Sequence, residues 1–112
     1  MDFEANMHDI FSLWRRIEKR RGMYLLGEDD VEQLRHLQSL LTGYELALAD
    51  HNVGHRDQLF MKKFGEYLRD RFGWSMSTGP IDTILRESAT PQEAWTTLGR
   101  LLREYEEERN GQ

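Results

Sequence analysis

Cysteine is absent from this chain of 112 residues, and proline occurs twice, at Pro80 and Pro91. Without cysteine there is no disulfide, no thiolate metal ligand and no cysteine nucleophile. Two prolines leave long stretches with nothing to interrupt a helix. No run approaches the ~18 apolar residues of a membrane span. No segment shows the strict period-2 alternation of a half-buried strand. A surplus of positive charge is lacking too. The 15 Lys and Arg are outnumbered by 20 Asp and Glu, for a net charge of −5. General nucleic-acid binding rests on many cationic contacts to phosphate, so nucleic acid is not an expected partner. The start, Met1-Asp2-Phe3-Glu4, lacks the basic-then-apolar layout of a signal peptide. The expected location is cytoplasmic, with no membrane partner.

What is present suits one core. The hydrophobic fraction is 38%, with five Phe, four Tyr and three Trp. That is the endowment of a single domain spanning 1–112. Phe3, Met7, Ile10, Phe11, Trp14 and Ile17 recur at three- and four-residue steps, which predicts a helix from about Phe3 to Lys19. A second helix is expected from a cap at Asp29 or Asp30 to about Ala49, with Glu32 completing a capping box. Its stripe is Val31, Leu34, Leu37, Leu41, Tyr44 and Leu48. Gly43 lies inside it, which suggests that another helix packs closely there. A third helix is expected from Asp57 to Arg71, closed by Gly73. A short fourth begins at Pro80 and contains Ile81, Ile84 and Leu85. Thr90-Pro91-Gln92-Glu93 is a cap, a first-turn proline and a box glutamate in order. It opens a fifth helix carrying Ala94, Trp95, Leu98, Leu101, Leu102 and Tyr105. Residues 104–112 are expected to fray. The predicted fold is all-α, a compact bundle of four to five helices.

The unusual segment is the connection at 20–30. Gly22 and Gly27 bracket Met23, Tyr24, Leu25 and Leu26, which are expected to fold back over one end of the core, as a short extended piece. The segment sits between charge blocks of opposite sign. Residues 15–21 hold five basic groups and one acid, and residues 28–32 hold four acids. Residues 104–108 hold four more. These blocks either pair internally and solvate the surface, or form a two-signed docking surface around Tyr24 that steers a partner. The docking reading uses Arg20, Arg21, Tyr24, Glu28, Asp29, Asp30 and Glu32. Trp14 and Trp95 fall on core stripes, and Trp74 is expected to plug the core from a connection.

Residues for chemistry are sparse. His8 and His36 are isolated, and His51 and His55 flank Asn52 and Gly54, which favours a loop over a helical metal chelate. No serine lies in a nucleophile-elbow setting, and no phosphate loop or dinucleotide fingerprint occurs. No catalytic residue, metal or cofactor is therefore expected, and the chain is not expected to be an enzyme.

Arg20-Arg21-Gly22-Met23-Tyr24-Leu25, preceded by Trp14 and Ile17, resembles a segment of a family of small bacterial proteins. The likeness extends to Leu34, Leu37, Leu40, Gly43 and Tyr44, to Phe60, Phe64 and Leu68, and to the closing helix from Ala94 to Leu102. Arg21 stands where that family usually has proline. The family is encoded beside polymorphic, contact-delivered toxins and is regarded as immunity proteins. The resemblance implies a partner, a cognate protein toxin such as a basic nuclease, neutralised by direct contact. In that setting Glu28, Asp29, Asp30 and Glu32 would mimic phosphate and Tyr24 would be an apolar anchor. The same segment also looks like a stretch of the type II topoisomerase ATPase domain. Here the following helix lacks the ATP-site Asn, and the glycine-rich motifs are missing. The alternative to an immunity protein is a non-enzymatic interaction module acting as a homodimer. A monomer and a homodimer are both compatible with the sequence.

Overall fold

The structure, a computed structural model, describes residues 9–53 and 55–111. Phe3, Met7, His8 and Gly54 lie outside the described residues. Asp9 opens α1, Ile10–Lys19, by accepting a hydrogen bond from the Phe11 N–H, as an N-cap carboxylate does. Ile10, Phe11, Trp14 and Ile17 are buried along one stripe. A four-residue turn, α2, Arg21–Tyr24, follows. The long α3, Asp30–Asp50, buries Leu34, Leu37, Leu41 and Leu48. A 3₁₀ turn at His55–Asp57 precedes α4, Phe60–Phe72, which ends on the left-handed Gly73. Then come α5, Pro80–Glu87, and α6, Pro91–Asn110. No strand occurs among the described residues.

The fold is an all-α bundle with α3 at its centre. α3 packs against α1, α4, α5, α6 and the 3₁₀ turn, and α6 also packs on α1 and α5. The core centres on a cluster of rings. Tyr105 of α6 lies 6.1 Å from Phe11, 5.9 Å from Phe60, 5.5 Å from Phe64 and 5.0 Å from Tyr67, between ring centroids. These separations suit tilted aromatic contacts.

Three helices begin with help from elsewhere in the chain. α4 is preceded by Leu59, which has no capping side chain. Glu45 of α3 replaces it, its carboxylate accepting from the Met61 N–H at 2.9 Å. Burial pushes the Glu45 carboxyl above its ordinary range, against the pull of the Met61 and Phe60 amides. α5 starts after Gly79, at φ +95° and without a cap of its own. Gln38 of α3 serves it, with Oε1 accepting from the Ile81 and Asp82 N–H groups at 3.0 and 2.9 Å. A Cβ on residue 79 would sit 2.6 Å from the Gln38 amide, so glycine permits this approach. At α1, Asp57 accepts from the Ile10 N–H at 2.8 Å.

Several expectations change. Asp57 does not begin the third long helix, which starts at Phe60. Asp57 is buried and also bonds the Arg109 guanidinium at 2.6 Å. The segment from Glu104, expected to fray, is helical through Asn110, with Tyr105 in the core and Arg109 on Asp57. A Cβ on Gly43 would meet nothing within 4 Å, so no helix packs closely there. The tight helical glycines are Gly65, against Met76, and Gly99, against Glu18 and Trp14. The segment at 22–27 opens as a helical turn rather than an extended piece.

Candidate functional site

The distinctive surface is the connection between α1 and α3. Its fixed point is Leu25, which is buried in the core, while Tyr24 is half-buried against it. The Leu25 N–H donates to the Arg21 carbonyl at 2.8 Å, closing the α2 turn. The next amide, Leu26 N–H, donates to Nδ1 of His36 at 2.7 Å. Gly27 follows at φ +116°, where a Cβ would come 2.6 Å from that of Glu32. Only glycine fits this position. Its carbonyl accepts from Gln33 Nε2 at 3.3 Å. The connection is thus pinned to the first turns of α3 on both sides of Leu26.

The expected capping box is formed in full. Asp29 accepts from the Glu32 N–H at 2.8 Å, and Glu32 accepts from the Glu28 N–H at 2.9 Å. Asp30 pairs with Arg21 at 3.3 Å, and its carbonyl accepts from Trp95 Nε1 at 3.3 Å. The Arg21 guanidinium lies 4.2 Å from the Trp95 ring centroid, and Trp95 stacks on Trp14 at 6.2 Å. A cation held over an indole and beside a carboxylate is a stable arrangement. Three of the four acids and Arg21 therefore support the local fold. Glu28 and Arg20 are exposed, and Glu28 has no side-chain partner among the described residues.

The pinning leaves two large apolar side chains in solvent. Met23 is 69% exposed and Leu26 is 75% exposed. Tyr24, between them, is half-buried against the core. The sequence pattern presents all four apolar residues as core cover, and nothing local separates Leu25 from its neighbours. The one usable signal is spacing, since a four-residue turn cannot direct four consecutive side chains to the same side.

Part of the remaining charge is paired across helices. Arg15 pairs with Glu106 at 2.9 Å, Arg103 with Glu18 at 3.7 Å, and Arg71 with Glu104. The hydrogen bond from Arg71 holds the Glu104 carboxyl below its ordinary range. The basic block at 15–21 thus meets the terminal acids as well as Asp30. His51 is exposed in the connection after α3, and His55 starts the 3₁₀ turn with Gln58 beside it at 3.4 Å. Among the described residues, no group of three His, Asp or Glu is placed to hold a metal. No described helix is long and apolar enough to cross a membrane. Trp74 packs half-buried on the core and stacks on Phe72 at 4.3 Å.

No protein-family model, curated protein or solved structure matches the chain.

Proposed function

We propose that this chain is a binding protein of the immunity class, which neutralises a cognate bacterial toxin in the cytoplasm by direct contact and without a cofactor. The carrying observation is the pinned connection with Met23 and Leu26 held in solvent. Met23 and Leu26 share one short segment, whereas the other exposed large apolar residues, Leu46, Leu59 and Phe72, are spread over other elements. The preorganisation of Met23 and Leu26 lowers the ordering cost of binding. Charges flank them, Arg20 on one side and Glu28 with the capping acids on the other. The net negative charge of the α3 start would steer a basic partner such as a nuclease. The resemblance of the Arg20–Leu25 segment to immunity proteins points the same way.

This reading places the contact on Met23 and Leu26, with Tyr24 as their support. It also changes the charge test. Reversing Glu28, Asp29, Asp30 and Glu32 together would dismantle the cap of α3. Glu28→Arg alone leaves the fold intact. The experiment sequences the gene neighbourhood and co-expresses the chain with any toxin-like domain encoded there. The wild type restores growth and binds in solution. Met23→Asp with Leu26→Asp should weaken binding by about 100-fold or more, as loss of two central apolar contacts would. The stability of that variant should change by no more than about 0.5 kcal/mol, because both side chains are exposed. Full protection by the double variant would refute this surface. A wild-type chain that neither binds nor protects would refute the class.

A further inference from the structure

Across the outer turns of α4 and α6 runs a groove of about 470 Å³, open to solvent on its outer side. Its floor is aromatic, formed by Tyr67 and Tyr105. Tyr105 is 9% exposed, and its hydroxyl has no hydrogen-bond partner among the described residues. The hydroxyl is not sealed in the core; it opens into the groove, where a donor can reach its oxygen. The walls carry Glu66 and Asp70 from α4 and Glu108 from α6. Glu66 and Glu108 take part in no ion pair or side-chain hydrogen bond among the described residues.

Two cations border the groove. Arg71 is already engaged, donating to the Tyr67 hydroxyl at 2.7 Å and pairing with Glu104. Asp70 already pairs with Arg69 at 4.0 Å, so the uncommitted wall groups are the Glu66 and Glu108 carboxylates and the Lys63 ammonium. Aromatic faces present negative potential, and the carboxylates add to it. An anion is disfavoured in such a place. A planar cation with several N–H donors suits every part of it.

We infer that this groove receives an arginine side chain of a partner polypeptide. The guanidinium would lie against the half-buried Tyr67 ring and donate to the Tyr105 hydroxyl oxygen and to Glu66 and Glu108. Arginine fits better than lysine, because its flat fork stacks on rings, carries more donors and is more weakly hydrated. A polypeptide side chain fits because the open side leaves room for the backbone that carries it. The groove is distinct from the Met23–Leu26 surface. Tyr105 lies ten residues after Trp95 on α6, about 15 Å along the axis. The inference stands or falls separately from the immunity reading.

The test titrates the isotope-labelled full chain with acetyl-Gly-Arg-Gly-amide and follows NMR shifts. The ring signals of Tyr67 and Tyr105 and the amides of Glu66, Asp70 and Glu108 should move and saturate. The lysine analogue should bind about fivefold or more weakly, and the glutamate analogue should leave the signals still. Glu66→Gln with Glu108→Gln should weaken the arginine peptide by about tenfold or more, and Tyr105→Phe by about fivefold. The first variant changes only the groove walls, so it remains decisive if Tyr105→Phe loosens the core. Absence of shifts at millimolar peptide would overturn the proposal, as would equal binding of the glutamate analogue. Guanidinium chloride binding as tightly as the peptide would overturn the polypeptide as the source of the cation.

Discussion

Asp57 is 3% exposed and sits in a turn, where a carboxylate would ordinarily face water. Two partners make its burial tolerable. The Ile10 N–H donates to one oxygen, and the Arg109 guanidinium to the other. They lie 47 and 52 residues away in the chain. One side chain thereby ties the start of α1 to the end of α6. The Arg109 guanidinium is also 4.7 Å from the Phe11 ring centroid, so the tie sits against the aromatic core. Asp57→Ala would remove the carboxylate that Arg109 meets at 2.6 Å and the acceptor of a helix N–H together. The expected loss of stability in urea denaturation is about 2–4 kcal/mol. Asp57→Asn keeps one acceptor and should lose less. A loss under about 1 kcal/mol for Asp57→Ala would show that the tie does not hold the termini together. Nothing local announces this role. An Asp shortly before Leu59 and Phe60 has the pattern of an ordinary helix cap. Asp29 and Thr90 were legible as caps because their partners, the Glu32 and Glu93 amides, lie three residues on. Asp57 was not, because its partners are distant.

At the scale of elements, the apolar periodicity was enough to find the five longer helices and most of their buried faces. Boundaries set by local chemistry also followed, as at Asp29, Gly73 and Thr90. Boundaries set by another helix did not. Glu45 and Gln38 are polar residues on α3 with no local duty, yet they complete the starts of α4 and α5. The same distinction governs the glycines. Gly43 and Gly27 have the same side chain and opposite requirements. Gly43 is helical with open space around its missing Cβ, and Gly27 is left-handed with Glu32 against it. Gly43→Ala should therefore stabilise the protein by about 1 kcal/mol, the helix-propensity difference. Gly27→Ala should destabilise it by more than about 1 kcal/mol, through backbone strain and the clash. Thermal denaturation of the two variants reads both signs. If Gly43→Ala lowered the midpoint, a packing partner for that face would be required. The Gly27 variant should also disturb Leu26, since its pinning by His36 depends on the adjacent turn.

At the scale of the whole molecule, the three helices α1, α4 and α6 converge on the ring of Tyr105. Charge placed there would affect all of them. Burial raises the Tyr105 hydroxyl above its usual pKa of about 10, and the negative charges of Asp57, Glu108 and Glu66 add to the shift while Arg109 opposes it. Tyr44 is raised as well, burial again being the largest cause. The sign follows from linkage. The folded state prefers the neutral phenol more than the unfolded chain does, so it binds the proton more tightly. The corresponding stability is fully present below about pH 10 and is lost as pH rises through the folded value. On the acid side the two shifted carboxyls oppose one another. Glu45, raised, favours the fold below its unfolded pKa, whereas Glu104, lowered, favours it above. Their effects partly cancel, which leaves the alkaline limb as the clearer signature of the core. Urea denaturation at steps from about pH 8 to about pH 11 should show a fall in stability beginning near pH 10. Tyrosinate absorbance should lag behind the four-tyrosine titration of the unfolded chain. Tyr105→Phe should flatten the alkaline fall, because a ring without a hydroxyl has no proton to lose. An unchanged slope in that variant would move the alkaline sensitivity away from the aromatic centre.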